Sequence, residues 1–453
     1  MVDAELNERL ARYERLVRSR FDAIEPMLRE ISAMQHEADF VSRAQRLAED
    51  RLGHPLPIRL LENAWITGLD IAALYAECVF GGFAQSVAAA AQDQALWRAR
   101  MPIDADFLAA CGYHTVDLSP CADGRLQGLL PFILRMAPNP DVSVKAYAGA
   151  LFDVENDLAD WTQRELDRLT GGMPGRDDLN YLKIAVYHTS SSQPCSQGCA
   201  AHGSNDVTAI NAALSRLEEL RLAVENTYGL GAAPDMLLIG VDTDIDAIRI
   251  HPPAADGSLS AARYIDGATL YRETLGFSAE AARARIEEAV YACGEMPAGL
   301  AALVARLIEA NFSQIEYVIR HHEGRYAVIG HDEVFICAGE AVCELQLRNK
   351  YYFAHLDTIE EGAPDMDVGI KIFTGLNLRR GLAIPVLVHF RYDSRVPGSR
   401  ARAEARGHRV VAAIQARYPE LAASGKIRCV RAVSERCNGV PELLEETLAE
   451  PDH

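Results

Sequence analysis

The run "YLKIAVYH" (181–188) leads through a polar loop into the helical "TAINAALSRLEELRLAVENTYG" (208–229) and then the apolar "DMLLIGVDTD" (235–244). Strand–helix–strand alternation with a helix this long predicts a parallel or mixed sheet covered by helices. From about residue 345 the order recurs loosely. "AIPVLVHF" (383–390) opens into a polar loop, "RVVAAIQARY" (409–418) reads as an alanine-rich helix, and "IRCVRAV" (427–433) reads as a strand. The repeated order points to an internal duplication.

Ahead of these, residues 4 to about 95 are helical in pattern. Leu6, Leu10, Tyr13, Val17, Phe21 and Ile24 recur at steps of three and four, until Pro26 interrupts. No cluster of catalytic residue types falls there, so this region reads as packing or oligomerisation. The expected fold class is α/β (α+β), in three parts. They are a helical domain over 1–95, a catalytic domain over 96–344 and a degenerate copy over 345–453. Both copies carry a mostly parallel sheet flanked by helices.

The chain has 453 residues, 49% hydrophobic and 24% charged, with 64 acidic against 45 basic side chains and a net charge of −19. That balance argues against a broad nucleic-acid-binding face. No apolar run approaches the roughly 20 residues that span a bilayer, and the N-terminus has no signal-peptide core. A cytoplasmic protein without membrane insertion is expected. Ten cysteines without dense regular spacing do not suggest a secreted disulfide scaffold.

One stretch concentrates chemistry. In "SPCADGR" (119–125), where a strand-like reading gives way to the helical "LQGLLPFILRM", Cys121, Asp123 and Arg125 alternate. An extended backbone would put all three on one side. His188 closes the "YLKIAVYH" strand at the polar edge where such sheets place ligands, and Cys199 follows eleven residues later. Cys121, His188 and Cys199 make a Cys₂His set, and three protein ligands to zinc leave a fourth position open for chemistry.

"Cys121-Ala-Asp123-Gly-Arg125" matches the C-x-D-x-R signature of the β-class carbonic anhydrases. Most of that class supply the remaining ligands from H-x-x-C, whereas here the interval is longer. In that interval, in "KIAVYH", "GCAAHGS" and "LLIGVDTDIDAIRIH", and in its three-part build, the chain resembles the divergent carboxysomal shell branch. The resemblance implies reversible hydration of carbon dioxide to bicarbonate and a proton, with one zinc per chain on Cys121, His188 and Cys199. Zinc brings the pKa of its water from about 15.7 to about 7. Asp123, restrained by Arg125, would orient the resulting hydroxide. The third domain offers His389 opposite His188, and "AHLDTIEEGAPD" opposite "PCADGR", without a thiol, so it holds no zinc.

The resemblance also implies a homodimer or higher homo-oligomer, with Rubisco or carboxysome shell proteins as partners. That branch usually carries a basic extension ahead of its helical domain. Here the first helix starts almost at once, which leaves the location between a carboxysome and the open cytoplasm. Rival readings are a zinc hydrolase on another substrate, which would want a glutamate base near the ligands, and a structural protein with vestigial catalysis. Cys195 reads as a nearby loop thiol and His202 as structural. Asp242, Asp244 and Asp246 read as turn or cap residues, or as subunit contacts, and Cys337 and Cys343 as core.

Overall fold

The computed structural model describes residues 2–62, 64–172, 178–328, 330–342, 348–356, 359–436 and 439–444. Three long helices come first: α1 (Ala4–Ala33), α2 (Phe40–Leu52) and α3 (Ile71–Arg100). The break expected at Pro26 does not form, and α1 runs through it. A proline inside a helix costs about 3 kcal/mol. Here Ile24, Met27, Leu28 and Ile31 around it are all buried, each worth roughly 1.5–3 kcal/mol. Within α3, Ile71–Gln92 is long and apolar enough to cross a bilayer, although most of it is buried in the fold. Counting unbroken apolar runs missed it because Glu77, Gln85 and Ser86 interrupt the stretch. Phe83 from this helix meets the Phe335 ring edge-on at 5.8 Å.

Residues Met1–Ala11 and Ala95–Gly330 form one compact unit, and Arg12–Gln94 with His331–His453 form another. The first contains β1 (Tyr113–Pro120), β2 (Val142–Val144), β3 (Asn180–Thr189), β4 (Asp235–Asp242), β5 (Ala247–His251) and β6 (Ile265–Asp266). They lie in the order β2-β1-β3-β4-β5-β6. The first four are parallel, while β5 and β6 run antiparallel. Strand β3 sits between β1 and β4 and is buried along nearly its whole length, as a strand covered on both faces must be. Among the helices of this unit are α4 (Val154–Leu169), α5 (Asp206–Tyr228) and α6 (Ala298–His321). Ala213, Leu217, Leu220 and Val224 of α5 share a core with Ala185, Tyr187 and Leu238 of the sheet.

A charged cluster is built into this sheet. Lys183 of β3 pairs with Asp117 of β1 in the strand register. Its Nζ donates to Asp117 Oδ2 (2.6 Å), to Ser119 Oγ (2.8 Å) and to Asp157 of α4. Lys145 donates to the other Asp157 oxygen at 2.9 Å. All four charged groups are buried. Burial alone would depress Lys145, but Asp117 and Asp157 outweigh it and push its pKa up. Burial likewise opposes ionisation of Asp117, and Lys145 and Lys183 overrule it.

The second unit holds β7 (Phe335–Gly339), β8 (Tyr351–His355), β9 (Ile384–Tyr392), β10 (Ile427–Glu435) and β11 (Glu442–Leu444), with α7 (Ile359–Leu376) and α8 (Ser399–Arg417). The order is β11-β10-β9-β7-β8, with β11 alone antiparallel. Read from β8, this repeats β2-β1-β3-β4-β5 of the first sheet, strand for strand. The sheet thus starts at Phe335, ahead of the bound at 345, because β7 is too short for its apolar pattern to announce a strand. The counterpart of "PCADGR" also moves. Pro120 pairs two residues before His188, and Cys337 two before His389. By that register Ala338 stands where Cys121 does, and Glu340 where Asp123 does. "AHLDTIEEGAPD" instead runs from the end of β8, the counterpart of β2.

His389 is fully buried. Its Nδ1–H donates to the Glu340 carbonyl (2.8 Å), so Nε2 accepts from Ser434 Oγ (2.9 Å). Burial pushes its pKa down to about 3.

Two measurements test these contacts. Lys183→Ala leaves two buried carboxylates short of a partner and should cost about 3–5 kcal/mol of unfolding free energy in urea; a loss below about 1 kcal/mol, the scale of a surface pair, would show the cluster contributes little. For His389, the unfolded chain binds one more proton than the folded chain between pH 6.5 and 3. Its contribution is complete above pH 6.5 and declines as pH falls, by up to about 1.4 kcal/mol per unit. His389→Gln should therefore show a shallower loss of urea midpoint between pH 7 and 4.5 than the parent; parallel curves would refute a neutral buried imidazole.

Candidate metal centre

Strand β1 ends at Pro120, so the three alternating residues do not continue an extended strand. Asp123 instead caps a single 3₁₀ turn, Gly124–Leu126, and accepts from the Arg125 backbone N–H. The turn folds the guanidinium back onto the carboxylate. Nε meets Oδ1 at 2.8 Å and Nη2 meets Oδ2 at 2.7 Å, a bidentate pair. A capping carboxylate two residues before an arginine achieves by turn geometry what alternation on a strand would not.

Cys121, His188 and Cys199 converge from the residue just past β1, from β3 and from the loop after β3. They are 5%, 0% and 3% exposed, and their ligand atoms lie within 4.8 Å of one another. Cys121 Sγ is 3.8 Å from Cys199 Sγ. Their shared hydrogen bond, with burial adding to it, pushes the Cys121 thiol well above the ordinary range, and the same bond draws Cys199 below it. The two sulfurs thus face each other across a separation that a cation can bridge.

The donor set fits zinc. Two thiolates each about 2.3 Å from one tetrahedral ion stand about 3.8 Å apart, which is the separation found. Both His188 nitrogens are buried without a hydrogen-bond partner among the described residues, a costly arrangement for an imidazole unless a ligand completes it. Asp123 Oδ2 lies 3.7 Å from His188 Nε2. In the second sheet Ala338 replaces the thiol and both His389 nitrogens are occupied, so no comparable donor set forms around His389 among the described residues.

Around the three donors stand residues that sequence reading passed over. Gly149 donates its N–H to Cys121 Sγ at 3.3 Å, and its carbonyl accepts from His202 Nε2 at 3.1 Å. Its φ is +71°, and a Cβ would come within 2.5 Å of that imidazole nitrogen, so only glycine fits. Arg125 also donates to the carbonyls of Gln197 (2.5 Å) and Gly198 (3.5 Å), just before Cys199. Of the residues set aside from sequence, His202 is a tie to Gly149, and Cys195 is exposed in the loop. Cys337 is buried, its thiol pushed up to about 12 by burial, while Cys343 lies outside the described residues. Of the aspartates of 242–246, Asp242 at the end of β4 and Asp244 in the turn after it grip the loop between His188 and Cys199, while Asp246 bonds Gln314 and Tyr326.

Comparison with known proteins agrees with this architecture. The family description "Carboxysome Shell Carbonic Anhydrase, catalytic domain" matches residues 103–331, the N-terminal description of the same family matches 1–91, and its C-terminal description matches 332–447. The carboxysome shell carbonic anhydrase of Halothiobacillus neapolitanus is 45% identical over 441 residues, covering 93% of this chain and 85% of its own. That of Parasynechococcus marenigrum is 46% identical over 460 residues, covering 100% and 79%, and that of Prochlorococcus marinus strain MIT 9313 is 45% identical over 461, covering 100% and 90%. With matches of this extent over all three parts, the chain belongs to the carboxysome shell carbonic anhydrase family.

Proposed function

We propose that this chain is a zinc enzyme that interconverts carbon dioxide and water with bicarbonate and a proton. The observation that carries this reading is the 3.8 Å approach of Cys121 and Cys199 beside a buried His188 whose ring nitrogens make no hydrogen bond among the described residues, with a bidentate Asp123–Arg125 pair alongside. When bound, zinc supplies a hydroxide nucleophile near neutral pH by lowering the pKa of water to about 7.

The chain's own residues supply the rest. Cys121, His188 and Cys199 would hold the ion, one per chain. Asp123 Oδ1 is saturated by the Arg125 backbone N–H (2.9 Å) and Nε. Oδ2 accepts from Nη2 at 2.7 Å and lies 3.7 Å from His188 Nε2, on the side of the three donors. From there Asp123 would accept a hydrogen bond from the attacking hydroxide and so aim its nucleophilic lone pair at carbon dioxide. Arg125 keeps Asp123 from swinging onto the metal position, because two parallel bonds and a backbone bond must break first. Burial of Asp123 and Arg125 strengthens every one of these contacts relative to water.

The relatives' names support a location in the carboxysome. We place this protein in the carboxysome as a homodimer or higher oligomer, with shell proteins or Rubisco as its neighbours. The expectation of a cytoplasmic location outside it rested on the start of the chain alone, and no structural observation supports it.

Stopped-flow hydration of carbon dioxide on the purified chain, with zinc counted per chain, should give turnover with one zinc. Zinc without hydration would sink the hydration reading, and absence of zinc would sink the ligand set. Asp123→Ala should keep zinc and lose turnover about 100-fold or more, the scale of removing one preorganised hydrogen-bond partner of the reacting group. Arg125→Ala should match it, and near-normal activity there would refute the restraint argument. Cys121→Ala, His188→Ala and Cys199→Ala should each release zinc.

A further inference from the structure

Ten residues separate His188 from Cys199. Ordering a loop of that length costs about 1–2 kcal/mol per residue, so Cys199 reaches a fixed position only if the loop is tied down. Its far end is tied by Arg125, through the Gln197 and Gly198 carbonyls. Its near end is tied by Asp244. The fully buried Asp244 carboxylate accepts from Ser192 N–H (2.7 Å), from Ser190 Oγ (3.1 and 3.2 Å to its two oxygens) and from Ser191 Oγ (3.4 Å). Ser190 Oγ in turn accepts from Gln193 N–H at 3.1 Å, and Asp242 takes Ser191 N–H at 3.3 Å.

Asp244 can serve as an anchor because its own turn is held independently. Thr243 N–H donates to the Thr189 carbonyl at 2.9 Å, extending the β3–β4 pairing past the strand ends, and Tyr326 N–H donates to the Asp244 carbonyl at 3.0 Å. Two residues on, Asp246 adopts φ +53°. Its Oδ2 accepts from Gln314 Nε2 (2.8 Å) and Tyr326 Oη (3.0 Å), and its carbonyl accepts from Asn311 Nδ2 (2.8 Å). The turn is thus bolted to α6, and the loop hangs from the turn.

We propose that Asp244 is a positioning residue for the metal centre: it fixes the first residues of the His188–Cys199 loop so that Cys199 is preorganised for the ion. The inference rests on the zinc reading above. It accounts for all three aspartates of 242–246, since Asp242 and Asp244 hold the loop and Asp246 holds the turn.

The test uses the full-length chain and zinc itself, with affinity read by competition against a chromophoric chelator. The visible spectrum of the cobalt(II)-substituted protein and the urea midpoint are read beside it. Asp244→Ala should weaken zinc binding about 10- to 100-fold, as removal of an outer-sphere support does, and should alter the cobalt spectrum. Asp244→Asn keeps an acceptor oxygen for Ser192 N–H and should recover most of the affinity. Ser190→Ala, a milder change that serves if Asp244→Ala fails to fold, should shift affinity in the same direction. If Asp244→Ala, or Ser190→Ala in its place, binds zinc as tightly as the parent while only the urea midpoint falls, the inference is wrong and the contact is purely structural. A parent chain that takes up no zinc would overturn the zinc reading and this inference together.

Discussion

The Arg125 guanidinium is the contact on which the candidate centre depends. It is buried, and a buried cation is tolerated only where acceptors surround it. Asp123 provides two and the Gln197 and Gly198 carbonyls provide more. Because those acceptors come from different segments, satisfying one side chain ties the strand that delivers Cys121 to the loop that delivers Cys199. A lysine could not replace it. A point charge lacks the planar fork that grips a carboxylate along one edge while the remaining N–H groups reach backbone carbonyls.

The two sheets show what happens to a histidine when its chemical role changes. His188 and His389 occupy the same place, on the third strand of each repeat, and both are fully buried. His188 leaves both nitrogens without a hydrogen-bond partner among the described residues, whereas His389 has one bond at each nitrogen. A buried imidazole must have its polar atoms met by something. In one copy two thiols stand within reach to share a cation. In the other Ala338 and Glu340 stand at the register positions of Cys121 and Asp123, and a backbone carbonyl and a serine hydroxyl meet the ring instead. The second sheet thus keeps its fold without the donors, since the strand order needs the apolar β9 and not the metal.

Much of this was legible in the sequence, and the reasons are specific. β3 and β9 announce themselves because a strand buried on both faces is apolar throughout, and α5 because its apolar residues repeat along a long, well-capped helix. The convergence of Cys121, His188 and Cys199 came from residue types at strand ends. Other features were not legible. Whether Pro26 ends a helix depends on burial of its neighbours. The start of the second sheet at Phe335 depends on a five-residue strand whose identity comes from pairing with β9. The manner in which Asp123 meets Arg125 depends on a turn, which alternation in the sequence disguises as a strand. Lys183 gave no signal, because a lone lysine in an apolar run declares nothing about the aspartates awaiting it from β1 and α4.

The lengthened interval between His188 and Cys199 explains why so many buried polar contacts gather around the loop. When two ligands share one backbone turn, local geometry alone fixes their separation. Once ten residues intervene, the separation becomes a property of the tertiary structure, and it has to be supplied at both ends of the loop. Arg125 supplies the far end from the segment that bears Cys121, and Asp244 the near end from the β4–β5 turn. Gly149 adds a third tie by joining Cys121 Sγ to His202, three residues past Cys199. Each tie is a buried polar contact whose partner is itself anchored, so the loop is held by elements that would keep their places without it. A longer loop therefore leaves the cluster as compact as a short one would, provided that those buried acceptors stay paired.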